Sequence, residues 1–160
     1  INKYLDRLGE YLSRITIAYS NNIHGNPTLE NMMYSSVDKK MVFIDLYEES
    51  VLDTKLLDYA MVLQDSRSHY CYLNSVPKQI IGNTVTPPNI LTPPPVKEFN
   101  RLFEKELKKR CTEGEIRFIN ILEATQFIRM LPFKIKAGDM DGAKFFYVYA
   151  CKLFKELFND

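Results

Sequence analysis

Apolar residues recur along most of this chain at steps of three and four, which is the period of a helix with one buried face. Short polar or proline-containing sequences separate the periodic stretches. The pattern therefore predicts a mainly α-helical protein. The predicted helices run from Ile1 to Tyr19, from Thr54 to about Leu73, from Lys97 to about Cys111, from Glu115 to Leu131, and from about Asp141 to Phe158.

Two short apolar runs lie between the first and second predicted helices. Met32–Tyr34 and Met41–Ile44 flank the polar sequence Ser35–Lys40. Apolar runs on either side of a short polar sequence are typical of a β-hairpin. We therefore expect one small hairpin, whose open end brings Asn31 and Asp45 close together.

The segment from Asn74 to Val96 interrupts the helical pattern, and six of its residues are proline. Proline lacks an amide hydrogen and restricts the backbone, so neither a helix nor a central strand is expected here. We interpret the segment as a connection within one domain, either a mobile linker or an ordered crossing over the surface. A polyproline ligand for another module is a weaker interpretation, because the run has no flanking basic residues.

Several polar residues between the helices are interpreted as caps and loops. Thr112 and Glu115 have the spacing of a capping box. The acids around Gly138–Gly142 resemble part of a calcium loop, but the other ligands and the closing glutamate are missing, so the start of a helix is favoured. The acids of the loop before Thr54 would place a carboxylate near a second metal or a substrate hydroxyl, although a solvated loop is the favoured interpretation. These acids are Glu48, Glu49 and Asp53.

Composition narrows the class of protein. The chain has 160 residues, of which 46% are hydrophobic, and this suits a single domain over residues 1–160 and excludes a disordered chain. A formal charge of +1 gives no electrostatic reason to expect binding to nucleic acid or to an anionic membrane. The three cysteines are widely spaced, which favours reduced thiols in a cytoplasmic compartment and gives no zinc signature. We expect no signal peptide and no membrane span.

The stretch with the clearest chemistry begins at His24-Gly25-Asn26. Asn31 follows after four intervening residues, and Asp45 ends the second predicted strand. An amide oxygen beside a carboxylate forms an all-oxygen pair of the kind that holds Mg²⁺ together with phosphate oxygens.

This stretch resembles the catalytic loop and metal-binding strand of the protein-kinase-like phosphotransferases, and is most similar to the aminoglycoside and choline kinase branch. That branch has His-Gly-Asp, four residues, Asn, and then a strand ending in Ile-Asp; protein kinases have a related loop and a later metal-binding Asp. His24, Gly25, Asn31 and Asp45 match the pattern. Asn26 stands where the family has its catalytic Asp.

The resemblance implies a helical C-terminal lobe with one small β-hairpin beside the catalytic loop. It also implies transfer of phosphate, dependent on Mg²⁺ and on ATP or another nucleoside triphosphate, to a hydroxyl of a sugar, an aminoglycoside or a choline-like alcohol. Asn31 and Asp45 would bind the metal and the nucleotide, and the residue at position 26 would orient the acceptor hydroxyl and take its proton. His24 would brace the loop, and Asp58 would accept hydrogen bonds from the loop backbone. The partner implied is an N-terminal nucleotide-binding lobe of the same parent protein, and a start in mid-helix at Ile1 favours a fragment.

Asn26 leaves the activity open, because a neutral amide cannot accept a proton as a carboxylate does. The chain is then either an engineered Asp-to-Asn form or a natural pseudoenzyme. The intact metal ligands favour an active parent family. The alternatives are a binding or scaffolding module built on the same lobe, which needs no metal, and an all-α interaction domain in which the motif occurs by chance.

Overall fold

The computed structural model describes residues 2–20, 22–47, 52–82, 84–86, 88 and 90–159. It is mainly helical with small two-stranded sheets, so the prediction of a mainly α protein is confirmed. A single 3₁₀ turn, Leu29–Asn31, precedes the first strand. The elements are α1 (Asn2–Leu12), β1 (Met32–Ser35), β2 (Lys40–Phe43), α2 (Lys55–Ser66), α3 (Tyr70–Ser75), β3 (Gln79–Ile81), β4 (Thr84–Thr86), α4 (Pro94–Arg110), α5 (Glu113–Arg129), α6 (Leu131–Lys136) and α7 (Met140–Phe158).

Helix α5 is central, because it packs against both α2 and α7. Its Phe127 lies in a cluster with Phe145 and Phe146 of α7, to which α1 also contributes. Its Phe118 and Ile119 lie in a second cluster with apolar residues of α2 and α4. The nearly continuous apolar sequence of α5 is typical of a helix buried on most sides, and α5 contributes to both clusters.

Two predicted helix starts are confirmed. Thr112 and Glu115 form a complete capping box at the start of α5. Asp139 caps α7, since its Oδ1 accepts a hydrogen bond of 2.8 Å from the Gly142 amide. The same carboxylate forms an ion pair of 2.8 Å with Lys134, so it supports the helix start and not a calcium loop.

Helix α1 ends at Leu12, and the prediction that it continues to Tyr19 is wrong. The segment after it forms neither a helix nor a strand, and Ile15 and Ile17 pack against the second core cluster while Thr16 and Ala18 are exposed. The Thr54 hydroxyl donates to the Ala18 carbonyl over 2.9 Å. Burial at every second residue differs from the three- and four-residue period of a helix, which accounts for the early end of the helix.

The second predicted helix is divided into α2 and α3 at residues 67–69. His69 has a left-handed backbone with φ of +54° at the start of α3. Arg67 and Ser68 both donate to Glu123, a residue of α5 that is 2% exposed. These contacts outweigh the apolar periodicity that predicted one continuous helix.

The proline-rich segment contains a second hairpin, so the expectation of only one hairpin was wrong. Strands β3 and β4 pair antiparallel with Ile80 opposite Val85. The described prolines of the segment lie outside both strands, and Gly82 supplies the positive φ of the turn. Thr92 Oγ1 lies 3.0 Å from His69 Nε2 and joins the segment to the helical body. The interpretation of the whole segment as a connection within one domain stays a prediction.

Prolines lie in the first turns of two helices. Helix α4 begins at Pro94 and not at Lys97, and α6, which was not predicted, begins at Leu131 with Pro132 in its first turn. Proline is tolerated in a first turn because the amide there has no partner within the helix. None of the described helices has the length and apolar character needed to cross a membrane.

Candidate functional site

The first hairpin places Asn31 and Asp45 at the same end. Met32 pairs with Phe43, and the Ile44 amide donates to the Asn31 carbonyl over 3.0 Å. Asp45 follows Ile44 directly. The open end of the hairpin therefore carries both residues that the resemblance assigns to a metal.

Asn26 contacts both of these residues. Asn31 Nδ2 donates to the Asn26 carbonyl over 2.9 Å, and Asn26 Nδ2 donates to Asp45 Oδ2 over 3.2 Å. Asn31 is buried, whereas Asp45 is exposed and has a left-handed backbone with φ of +58°. Asp tolerates this conformation better than most residues, because its short side chain can form local hydrogen bonds. The three residues form one polar cluster with an open side.

Asp58 holds the loop from the first turn of α2. Its Oδ2 accepts a hydrogen bond of 2.7 Å from the His24 amide, and its Oδ1 accepts one of 2.8 Å from the Gly25 amide. This is the contact that the resemblance implied for Asp58. Asp58 is half-buried. In the folded chain its carboxylate accepts hydrogen bonds from two loop amides in place of water, and this stabilises the loop conformation.

A second carboxylate on the same helix was missed in the sequence. Asp65 is buried, and its Oδ2 accepts a hydrogen bond of 2.9 Å from the Leu29 amide. It follows Asp58 by seven residues, or two helical turns, so both side chains lie on one face of α2. That spacing of acids within an apolar helix was the available signal. The loop is thus held to α2 near both of its ends.

Asp65 also affects a cysteine. Its Oδ1 accepts a hydrogen bond of 3.1 Å from the Cys71 amide. Burial, reinforced by this carboxylate, raises the pKa of the Cys71 thiol. The thiol therefore stays protonated near neutral pH and is not a candidate nucleophile.

Gly25 and His24 fix the shape of the loop. Gly25 has φ of +76°, and a Cβ at this position would lie 2.6 Å from the Tyr47 carbonyl oxygen, so only glycine fits. The Tyr47 amide donates to the His24 carbonyl over 3.0 Å. His24 Nδ1 accepts a hydrogen bond of 3.3 Å from the Asn26 amide, and the ring packs 5.6 Å from that of Phe43. These contacts brace the loop, as the resemblance implied for His24.

The donor set suits Mg²⁺ better than a transition metal. Asp45 forms no ion pair within the described part of the chain, and Asn31 Oδ1 accepts no hydrogen bond there. The described part of the chain contains no group of three or more His, Cys, Asp or Glu side chains placed to hold a metal ion. One amide oxygen and one carboxylate are few ligands, and Mg²⁺ commonly completes such a set with phosphate oxygens and water.

Of the three acids predicted in the loop before Thr54, Asp53 is the one that the structure describes, and it forms no hydrogen bond with the cluster. Asp53 is exposed, and its carbonyl accepts a hydrogen bond of 2.9 Å from the Ser20 amide. Glu48 and Glu49 lie outside the described residues.

An apolar surface adjoins the polar cluster. The hairpin exposes large apolar side chains on both of its faces, because neither face is fully covered by the helices. These side chains are Met33, Tyr34, Met41, Val42, Phe43 and Ile44. Contiguous exposed apolar residues often mark a surface that binds a ligand or another protein region.

Compared with known proteins, the chain matches no family model, no curated protein and no solved structure. The functional interpretation therefore depends on the residues of the site and on the resemblance of the loop sequence.

Proposed function

We propose that this chain is the C-terminal lobe of a kinase-like phosphotransferase, which binds Mg²⁺ and a nucleoside triphosphate and transfers phosphate to a hydroxyl of a small molecule. The observation that supports the proposal is the pair of hydrogen bonds joining Asn26 to Asn31 and to Asp45. A motif that occurs by chance in the sequence has no reason to bring its separate residues together.

In this proposal Asn31 and Asp45 each provide an oxygen to the metal. Bound Mg²⁺ would offset the negative charge of the phosphates. The protein's own contribution is mainly position, since Asp58 and Asp65 hold the loop that carries Asn26. A loop that is already held in one conformation loses less entropy when a ligand binds.

Asn26 limits the chemistry. It occupies the sequence position at which the family has the residue that orients the acceptor hydroxyl and takes its proton. The amide can orient a hydroxyl by hydrogen bonding, but it cannot accept the proton, and the loss of a positioned base costs about 10²–10⁴-fold in rate. We infer that the form with Asn26 transfers phosphate slowly and keeps its metal ligands.

A binding or scaffolding module is the second candidate. The exposed apolar residues of the hairpin favour it, as does Asn26. The two candidates differ in their need for metal, because a scaffold does not require Asn31 and Asp45 to bind an ion.

The test uses Mn²⁺ as a paramagnetic substitute for Mg²⁺, in the presence of ATP. Amide signals of Asn31 and Asp45 should broaden selectively in nuclear magnetic resonance spectra of the chain. Asp45→Asn should abolish this broadening, whereas the matched change Asp53→Asn at an exposed position should preserve it. Broadening that is equally strong in Asp45→Asn, or absent around both residues in the parent chain, would favour the scaffold.

A further inference from the structure

A cavity of about 610 Å³ adjoins the loop. Gly25 and Tyr47 form part of its wall, and they lie in sequence directly before Asn26 and two residues after Asp45. Most of the remaining wall is apolar and is contributed by α1, α5 and α7, for example by Leu8, Leu122 and Phe154. The volume is within the range of about 300–1,000 Å³ that is usual for small-molecule sites.

Arg129 is the one charged side chain among the described residues of this wall. Its Nη1 donates to Gln126 Oε1 over 3.2 Å, and its guanidinium carbon lies 5.9 Å from the centre of the Tyr47 ring. Arg129 forms no ion pair with any residue that the structure describes. Both of its partners are neutral, so its positive charge is not compensated by a carboxylate in the described wall.

We propose that this cavity binds the body of the phosphate acceptor, and that Arg129 binds an anionic group on that acceptor. The proposal rests on the proposed function, because it assigns the cavity to the same reaction. A guanidinium forms strong charge-assisted hydrogen bonds with carboxylate, sulfate and phosphate groups. It repels cations, so the acceptor class becomes hydroxy compounds with an apolar body and an anionic group, and not aminoglycosides or choline-like alcohols.

Two fluorescent probes with the same aromatic body test the charge preference. 1-Anilinonaphthalene-8-sulfonate is anionic, and N-phenyl-1-naphthylamine lacks the sulfonate. Arg129→Met keeps the apolar stem and removes the charge, and because Arg129 is exposed it should weaken binding of the anionic probe by about 3-fold or more. Binding of the neutral probe should change by less than about 2-fold, because its contacts are apolar.

Two further variants locate the effect. Thr125→Phe places a larger side chain in the wall of the cavity and should weaken binding of both probes. Arg110→Met removes an exposed cation at the end of α4 that does not line the cavity, and should leave both affinities unchanged. If Arg129→Met does not fold, as judged by its thermal unfolding, Arg129→Gln provides the same comparison.

The proposal is overturned if neither probe binds, if Arg110→Met weakens the anionic probe as much as Arg129→Met does, or if Arg129→Met weakens both probes equally. Failure of the proposed function is distinguishable, because it appears as loss of the selective Mn²⁺ broadening at Asn31 and Asp45 in the parent chain. A charge preference that depends on Arg129 without that broadening would leave an anion-selective cavity and remove its role in phosphate transfer.

Discussion

Replacing Asn26 by Asp would place a second carboxylate against that of Asp45. In the structure the Asn26 amide donates to Asp45 Oδ2 over 3.2 Å. An aspartate has nearly the same shape, but it presents an oxygen with negative charge where the donor was. The substitution therefore converts an attractive contact into a repulsive one with little change in volume.

The expected cost follows from the separation and the exposure of the two groups. Two unit charges 4 Å apart repel each other by about 1 kcal/mol in water and by about 4 kcal/mol at an effective dielectric constant of 20. Asp45 is exposed, so the lower value is the better guide. Loss of the hydrogen bond adds about 0.5–1.5 kcal/mol. We expect Asn26→Asp to lower the free energy of unfolding by about 1–3 kcal/mol near pH 7, and the melting temperature by roughly 3–10 °C.

Added Mg²⁺ should reverse this loss. A divalent cation between the carboxylates replaces repulsion by attraction, so millimolar Mg²⁺ should raise the melting temperature of the Asn26→Asp protein more than that of the parent.

The measurement is thermal unfolding followed by circular dichroism, with and without Mg²⁺. Gln79→Glu is a matched control, since it also exchanges an amide for a carboxylate at an exposed position and should respond weakly to Mg²⁺. An Asn26→Asp protein that is as stable as the parent and does not respond to Mg²⁺ would refute the contact between positions 26 and 45. If the proposed function is correct, the parent protein with its N-terminal lobe should consume nucleotide about 10²-fold faster or more with Asp at position 26 than with Asn26, in the presence of its acceptor.

Three further changes test other contacts. Asp58→Ala leaves two loop amides without acceptors, so the free energy of unfolding in a urea titration should fall by about 1–3 kcal/mol. Arg67→Met leaves the buried Glu123 carboxylate without its cation, and the expected loss in the same titration is about 3–5 kcal/mol. Burial raises the pKa of Tyr70 to about 12 from an ordinary value of 10.0. Stability should therefore fall as the pH rises from 10 to 12, where the phenol ionises in the unfolded chain first, and Tyr70→Phe should flatten this part of the stability profile.

A control variant or a contradicting outcome is defined for each of these changes. An Asp53→Ala protein should keep the parental urea midpoint, and an equally unaffected Asp58→Ala protein would mean that Asp58 does not hold the loop. Arg101→Met removes an exposed ion pair and should leave the urea midpoint nearly unchanged. An equally small effect of Arg67→Met would contradict the burial of its partner Glu123. An alkaline profile that Tyr70→Phe leaves unchanged would show that Tyr70 is accessible to solvent.

Apolar periodicity and capping patterns predicted the helical body because they are local properties. The box at Thr112 and the cap at Asp139 depend on residues three positions apart. The ends of α1 and α2 depend on distant partners instead. Glu123 draws Arg67 and Ser68 out of the helix, and no local pattern contains that information.

In the candidate site, too, local sequence predicted some features, and contacts between distant residues determine the others. The hairpin spacing predicted that Asn31 and Asp45 would lie at one end, and the resemblance indicated the contact of Asp58 with the loop. Asp65 was missed because its partner is the backbone amide of Leu29, and backbone amides give no signal in a sequence. The cavity beside Gly25 was equally unreadable, because its wall is assembled from separate helices.

The two carboxylates of α2 make the loop sensitive to helical phase. Asp58 and Asp65 share a face only because seven residues are close to two full turns. Insertion of one residue between them would rotate Asp65 by about 100° and shift it by about 1.5 Å along the axis. The Leu29 amide would lose its acceptor, although every residue of the loop itself would be unchanged. Tolerance of insertions in this protein is therefore expected to be low within α2, a helix that contributes neither Asn31 nor Asp45.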